Sequence, residues 1–174
     1  MNTPIINKLL AIDPGPTYSA LLVWDVATQS IDRTSLPEII KSDLVCETIG
    51  LLQLPVACEH LQCFGMAVGA EVFQTAYWIG EYRATCRLEC LPFRPVFRME
   101  VKNAICHNSR ATDSNIRQAI IDRLGPPGTK KAPGATFGIK ADLWSALAIA
   151  LTVGGAQREM FSPAEEKGAL KLFV

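Results

Sequence analysis

The stretch Lys8-Leu-Leu-Ala-Ile-Asp13 constrains the fold more than any other part of the chain. It is a short apolar run that ends on an acid and meets Pro14-Gly15-Pro16 at once. Such a run is too short for a buried helix, and the Pro-Gly pair stops it, so it predicts a buried strand. Ser19-Ala-Leu-Leu-Val-Trp-Asp25 predicts a second strand, and the two form a hairpin about the turn. Leu54-Pro-Val-Ala-Cys-Glu59 repeats the pattern of an apolar strand closing on an acid.

The remaining elements follow from periodicity. Ser30 to Ser35 reads as a weaker strand, and residues 38–53 carry a helical apolar pattern. A helix is expected over 70–86, with Val72, Phe73, Ala76, Tyr77, Ile79 and Gly80 on one side. Phe93 to Phe97 predicts a strand despite its prolines, which place it at a sheet edge or near its ends, and residues 99–106 a short helix. Thr112 to Leu124 is the clearest helix: Thr112 can cap it, Asp113 suits its positive end, and Gly125-Pro-Pro stops it. A Gly-, Pro- and Lys-containing loop runs over 125–139, and Ala141 to Val153 is an almost wholly apolar helix with Asp142 in its first turn. Strands first, then alternating helices and strands, give an α/β fold with a mixed sheet.

A chain of 174 residues predicts one domain, here 1–155, followed by a tail over 156–174. With 49% hydrophobic and 20% charged residues it reads as globular. No apolar run approaches the roughly 20 residues of a membrane span, and the first residues lack the features of a secretory signal. Both observations predict a cytoplasmic protein without membrane attachment. In that setting the six cysteines are expected to be small buried thiols.

Net charge is zero, but its distribution is uneven. Residues 1–82 hold three basic against nine acidic side chains, whereas 83–131 hold ten basic against four acidic. An acidic site beside a basic surface suits a metal-using enzyme that holds phosphates; ordinary solvated faces are the alternative. The chemistry rests on Asp13, Glu59 and Asp142, each at the end of an apolar element. Singly, each is an ordinary loop or helix-start residue. Strands running the same way bring their ends to one edge, and carboxylates gathered there repel unless a cation joins them. Mg²⁺ takes oxygen ligands and bridges to phosphate, and two such ions roughly 4 Å apart can align a water and stabilise a leaving oxygen.

These residues resemble a known family. Ile12-Asp13-Pro14-Gly15 before an apolar strand is similar to the opening of RuvC-type Holliday junction resolvases, and Phe73-Gln-Thr-Ala-Tyr-Trp-Ile-Gly80 to their helix after the catalytic Glu strand. The most specific match is Val101-Lys102-Asn-Ala-Ile-Cys-His-Asn108-Ser-Arg110-Ala, which resembles the family's VKxAxxGxGxA segment. Ala146-Leu-Ala-Ile-Ala-Leu151 matches its terminal ALAIAL helix, and the resemblance runs in order over residues 8–153. The drift around these motifs resembles phage-borne members.

The resemblance implies an RNase H-like fold with helices on both faces of the sheet. It implies a homodimeric endodeoxyribonuclease that cuts four-way or branched DNA with Mg²⁺, Mn²⁺ substituting. Asp13, Glu59 and Asp142 would then hold the metal, and Lys102 would meet the phosphate at the edge of the site. Asn108 and Arg110, in the loop after it, are candidates for DNA contact. Lys130, Lys131 and Lys140 are either further DNA contacts or part of a solvated, mobile loop. An RNase H-like nuclease for flaps or RNA–DNA hybrids, and a junction-binding protein with weakened catalysis, are the alternatives. The family's last helix carries an acid or His and then an Asp three residues on. Aligned without a gap, Asp142 takes the first place and Ser145 the second, or else the helix starts one turn differently and Asp142 does the work of the second.

Smaller features complete the reading. Phe64, Phe73 and Tyr77 are candidates to stack near DNA or to lie in the core. His60 is expected to point away from the face that carries Glu59. His107 could orient water or phosphate near Lys102, or lie on the surface. The helix over 70–86, with Trp78, is the expected partner face of a dimer. Ala169-Leu-Lys-Leu-Phe173 resembles the peptides that dock on bacterial sliding clamps, although it lacks their Gln.

Overall fold

A computed structural model describes residues 7–34, 37–62, 65 and 67–155. Phe64, Cys63 and the whole of 156–174, including the clamp-like peptide, lie outside the described residues. The strands are β1 (Lys8–Asp13), β2 (Tyr18–Asp25), β3 (Ser30–Asp32), β4 (Glu38–Lys41), β5 (Val56–His60) and β6 (Phe93–Phe97). The helices are α1 (Val45–Leu52), α2 (Ala70–Leu88), α3 (Arg98–Cys106), α4 (Asp113–Leu124) and α5 (Leu143–Gly154).

β1 and β2 form the expected antiparallel hairpin, with Asp13 opposite Ala20. β5 lies parallel to β1, and β6 parallel to β5, so three strands run the same way across the middle and one edge of the sheet. The order is β3-β2-β1-β5-β6, with β4 pairing the first half of β2. β6 is an edge strand with Pro95 at its centre, the first of the two placements its prolines allowed.

Alternation sorts the sheet residues between two cores. Leu9, Ala11, Leu22, Trp24 and Ala57 face α5, α3 and α4; Leu10, Ile12, Leu21, Val56 and Cys58 face α1 and α2. Helices therefore cover both faces. Every residue of α5 except Ser145 is buried because the helix lies directly on β1 and β2. Its end packs so closely on the hairpin that a Cβ on Gly154 would come within 2.7 Å of the Trp24 ring.

Three expectations require correction. Residues 38–41 are a strand, not the start of a helix. Ile39 packs toward the α5 core and Ile40 toward the opposite one, and only extended backbone can do both. A short 3₁₀ turn, Ser42–Leu44, then leads into α1. Of the expected apolar stripe on α2 only Ile79 is fully buried, and the rest of the buried face is Thr75, Tyr82 and Cys86. Phe73 and Tyr77 are 66% and 55% exposed, so neither is a core residue. Finally, the cysteines are not all buried: Cys58 and Cys86 are, Cys90 is exposed, and every described cysteine is a free thiol.

The 125–139 loop is tied down rather than loose. Arg33 donates to the carbonyls of Ala135 and Phe137 at 2.8 Å each, Gly134 N–H donates to Pro127 O, and Thr136 is completely buried. Lys130 and Lys131 sit exposed at its tip. Arg33→Ala is expected to leave the core intact but to speed proteolytic nicking of this loop severalfold in a limited trypsin digest; an unchanged digest would show that the remaining ties suffice. No helix among the described residues is long and apolar enough to cross a membrane.

Candidate active site

The parallel strands deliver their ends to one place. Ile12 is level with Cys58, so one step further on sets Asp13 beside Glu59. Asp13 continues the series Leu9, Ala11, and Glu59 follows Ala57, so both carboxylates project toward the α5 side. Asp142 stands at the head of α5 on that side. It occupies the position before the helix rather than the expected first turn, because Ala141 takes a left-handed backbone conformation (φ 45°) that the helix cannot include. His60 falls on the opposite face, as alternation requires. It stacks on Phe97 at 5.4 Å, and burial and the Arg83 charge depress its basicity.

The electrostatics reflect this crowding. Burial is the main cause that pushes the Asp13 carboxyl up to about 8; a hydrogen bond with Glu59 and the negative charges of Glu59 and Asp142 add to it. Glu59 is beside Asp13 across the parallel strands, whereas Asp142 is exposed and acts on Asp13 through its charge. As placed, no three acids, histidines or cysteines among the described residues stand close enough to enclose one ion. The donor set still fits a hard divalent cation. Its oxygens are of the right type, and their mutual repulsion is what a cation would relieve. Completing the set requires Asp142 to close on the pair.

One residue escaped the sequence reading. Arg98, the first residue after β6, places Nη1 3.6 Å from Glu59 Oε1 and makes a second ion pair with Asp113 at the start of α4. Its charge is the opposing influence on Asp13. The available signal was positional: it follows the third of the parallel strands, and the other two carry site acids at or one residue before their ends. Lys102, one turn along α3, lines with Arg98, Glu59, His60 and Met99 an open cavity of about 270 Å³. The structure thus brings Lys102 to a cavity it shares with Glu59. Asn108 and Arg110 lie exposed beyond α3, where Asn108 Oδ1 accepts the Arg110 N–H. His107 is exposed in the left-handed cap of α3. Lys140 is exposed two residues before Asp142, and Ser145 is half-buried one turn after it.

The turn behind Asp13 is held by buried hydroxyls. Gly15 N–H donates to Ser19 Oγ (3.3 Å), and Ser42 Oγ donates to Gly15 O (2.9 Å). Tyr82 Oη lies 3.0 Å from Ser19 Oγ and donates to Ser42 O, while Trp78 Nε1 donates to Pro16 O. Two residues of α2 therefore grip the hairpin turn, which is why its buried face is not purely apolar. Gly15 is required here, since a Cβ would run into the Tyr18 carbonyl. Tyr82→Phe keeps the ring and removes one hydroxyl. It is expected to cost about 1–2 kcal/mol, read as a lower urea midpoint, and an unshifted midpoint would mean the network contributes nothing.

No family model and no curated protein sequence matches the chain. Solved structures do. The Thermus thermophilus RuvC structure aligns with a TM-score of 0.61 at 22% identity, covering 84% of this chain and 92% of that one. The fold is that of RuvC. T. thermophilus RuvC in complex with Holliday junction substrate aligns equally well, at 21% identity, a TM-score of 0.61 and the same coverage. At this identity RuvC shares the architecture with this chain, namely the RNase H-like mixed sheet with helices on both faces.

Proposed function

We propose that this protein is a divalent-metal-dependent endonuclease that cuts branched DNA, four-way junctions above all, by phosphodiester hydrolysis. The observation that carries the reading is that Asp13 and Glu59 stand side by side at the ends of two parallel strands, with the charge of Asp142 acting on Asp13, on a fold shared with a junction-bound RuvC. These three carboxylates would hold Mg²⁺ or Mn²⁺. When bound, such ions polarise the phosphate and activate a water for in-line attack. The chain's own contributions are to orient the cation-binding carboxylates through the strand ends and the stapled turn, and to offer Lys102 to the phosphate from the cavity wall. Lys130, Lys131 and Lys140, with Asn108 and Arg110 beyond α3, are exposed and free to follow DNA arms outward.

Two symmetric cuts in a four-way junction call for a second copy. The exposed Phe73 and Tyr77 of α2, beside Trp78, form the face proposed to meet it. A second reading, a junction-binding protein with weakened catalysis, is favoured by Ser145 standing where a further acid would complete the site, and by the exposed position of Asp142.

One assay separates the readings. Labelled four-way junction, flap, RNA–DNA hybrid and linear duplex are incubated with the protein in Mg²⁺, Mn²⁺ or EDTA. Paired nicks on the junction in either metal are expected. Binding without nicking in both metals would favour the second reading, and cutting confined to hybrids or flaps would reassign the substrate. If Asp142→Asn cuts normally, its place among the metal ligands is wrong.

A further inference from the structure

We infer that Arg98 is a second phosphate-binding cation of this site, working with Lys102 as a pair on one face of α3. The inference rests on the nuclease reading and adds a residue to it. Arg98 and Lys102 are four apart on a helix, hence on one face, and both line the cavity whose wall includes Glu59. Arg98 is only 32% exposed, with Glu59 on one side and Asp113 on the other. Its Glu59 contact is loose at 3.6 Å, longer than a charge-assisted hydrogen bond.

The two carboxylates have different prospects. Glu59 stands beside Asp13 at the strand ends and holds Arg98 only across 3.6 Å, a contact that can be exchanged. Asp113 is 79% exposed, and an ion pair to so solvated a group contributes little. The guanidinium is therefore a planar donor fork held beside the acids by partners it can give up, at the mouth of a cavity shared with Lys102. A phosphodiester is the ligand whose charge and paired oxygens suit that fork. The bland alternative is that Arg98 merely fastens the start of α4 to the sheet through Asp113.

Binding of a labelled four-way junction in EDTA, where no cutting occurs, is measured over a salt series for wild type, Arg98→Ala, Arg98→Gln, Lys102→Ala and Asp113→Asn. Arg98→Ala is expected to weaken binding about tenfold and to make the log–log salt slope shallower by about 1, as Lys102→Ala does. Asp113→Asn frees the guanidinium, so it should bind at least as tightly as wild type with an unchanged slope. Arg98→Gln, which keeps most of the stem, should reproduce the loss of slope if the alanine variant does not fold. A wild-type slope in Arg98→Gln or Arg98→Ala overturns the inference, as does Asp113→Asn losing affinity in parallel with Arg98→Ala. If instead the wild-type protein shows no salt-dependent junction binding, the nuclease reading itself fails and this inference with it.

Discussion

Asp13→Asn is expected to lower DNA cleavage by about a thousandfold or more while making the metal-free protein more stable. Loss of activity follows from removing one of the charges proposed to hold the cation. The gain in stability follows from the same charge being unwelcome without a cation. Asp13 has a folded-state value of about 8 against 3.8 for the free side chain, so the folded protein holds this proton more tightly than the unfolded chain. Below 3.8 the carboxyl is protonated in both states. As pH rises toward 8 only the unfolded chain releases the proton, and folding stability is lost progressively. Asparagine resembles the protonated acid in shape and does not titrate. In EDTA its melting temperature should match wild type near pH 4 and exceed it by about 5 °C at pH 8, on the order of 2 kcal/mol. A gap that stays constant between those pH values, or a less stable variant at pH 8, would show that burial and the neighbouring carboxylates do not hold Asp13 in its protonated form.

The second large effect is expected in the hairpin core. Trp24 is fully buried between the sheet and the end of α5, packed against Gly154 and Leu9. Trp24→Ala empties that space, and the α5 backbone cannot collapse into it without leaving β1 and β2. A cost of about 3–5 kcal/mol follows, measured as a lower midpoint in urea. Trp24→Phe should be far milder, below about 2 kcal/mol. The indole Nε1 has no hydrogen-bond partner among the described residues, so removing it abandons no bond. Equal losses for the two variants would mean that ring packing is not what Trp24 supplies.

Much of this architecture was legible from residues 8 to 25, where apolar runs, a Pro-Gly turn and a terminal acid leave few alternatives to a hairpin. Asp13 and Glu59 were legible for the same reason, since each ends a strand and strand direction alone brings them level. The capped helix from Thr112 was equally plain, with Thr112 and Asn115 forming the reciprocal cap. What escaped was set by contacts distant in sequence. Ile39 and Ile40 fit a helical pattern until β2 is beside them. The working face of α2 holds Thr75 and Tyr82, whose hydroxyls no hydrophobic pattern scores, while Phe73 and Tyr77 look like core and are not. Arg98 gained its place only from the pairing of β6 with β5, and Asp142 was shifted out of its helix by the conformation of the alanine before it.

The margins of the sheet bear on how copies of this protein can meet. β6 is five residues long, and Pro95 removes a main-chain donor at its centre; at the far side, β3 and β4 have three and four residues. Neither border offers the uninterrupted row of N–H and C=O groups on which a neighbouring chain could extend an intermolecular ladder. A second copy meeting this protein would thereby be directed to side chains on helix surfaces, where contact can be selective and reversible, and away from open-ended strand addition as its concentration rises.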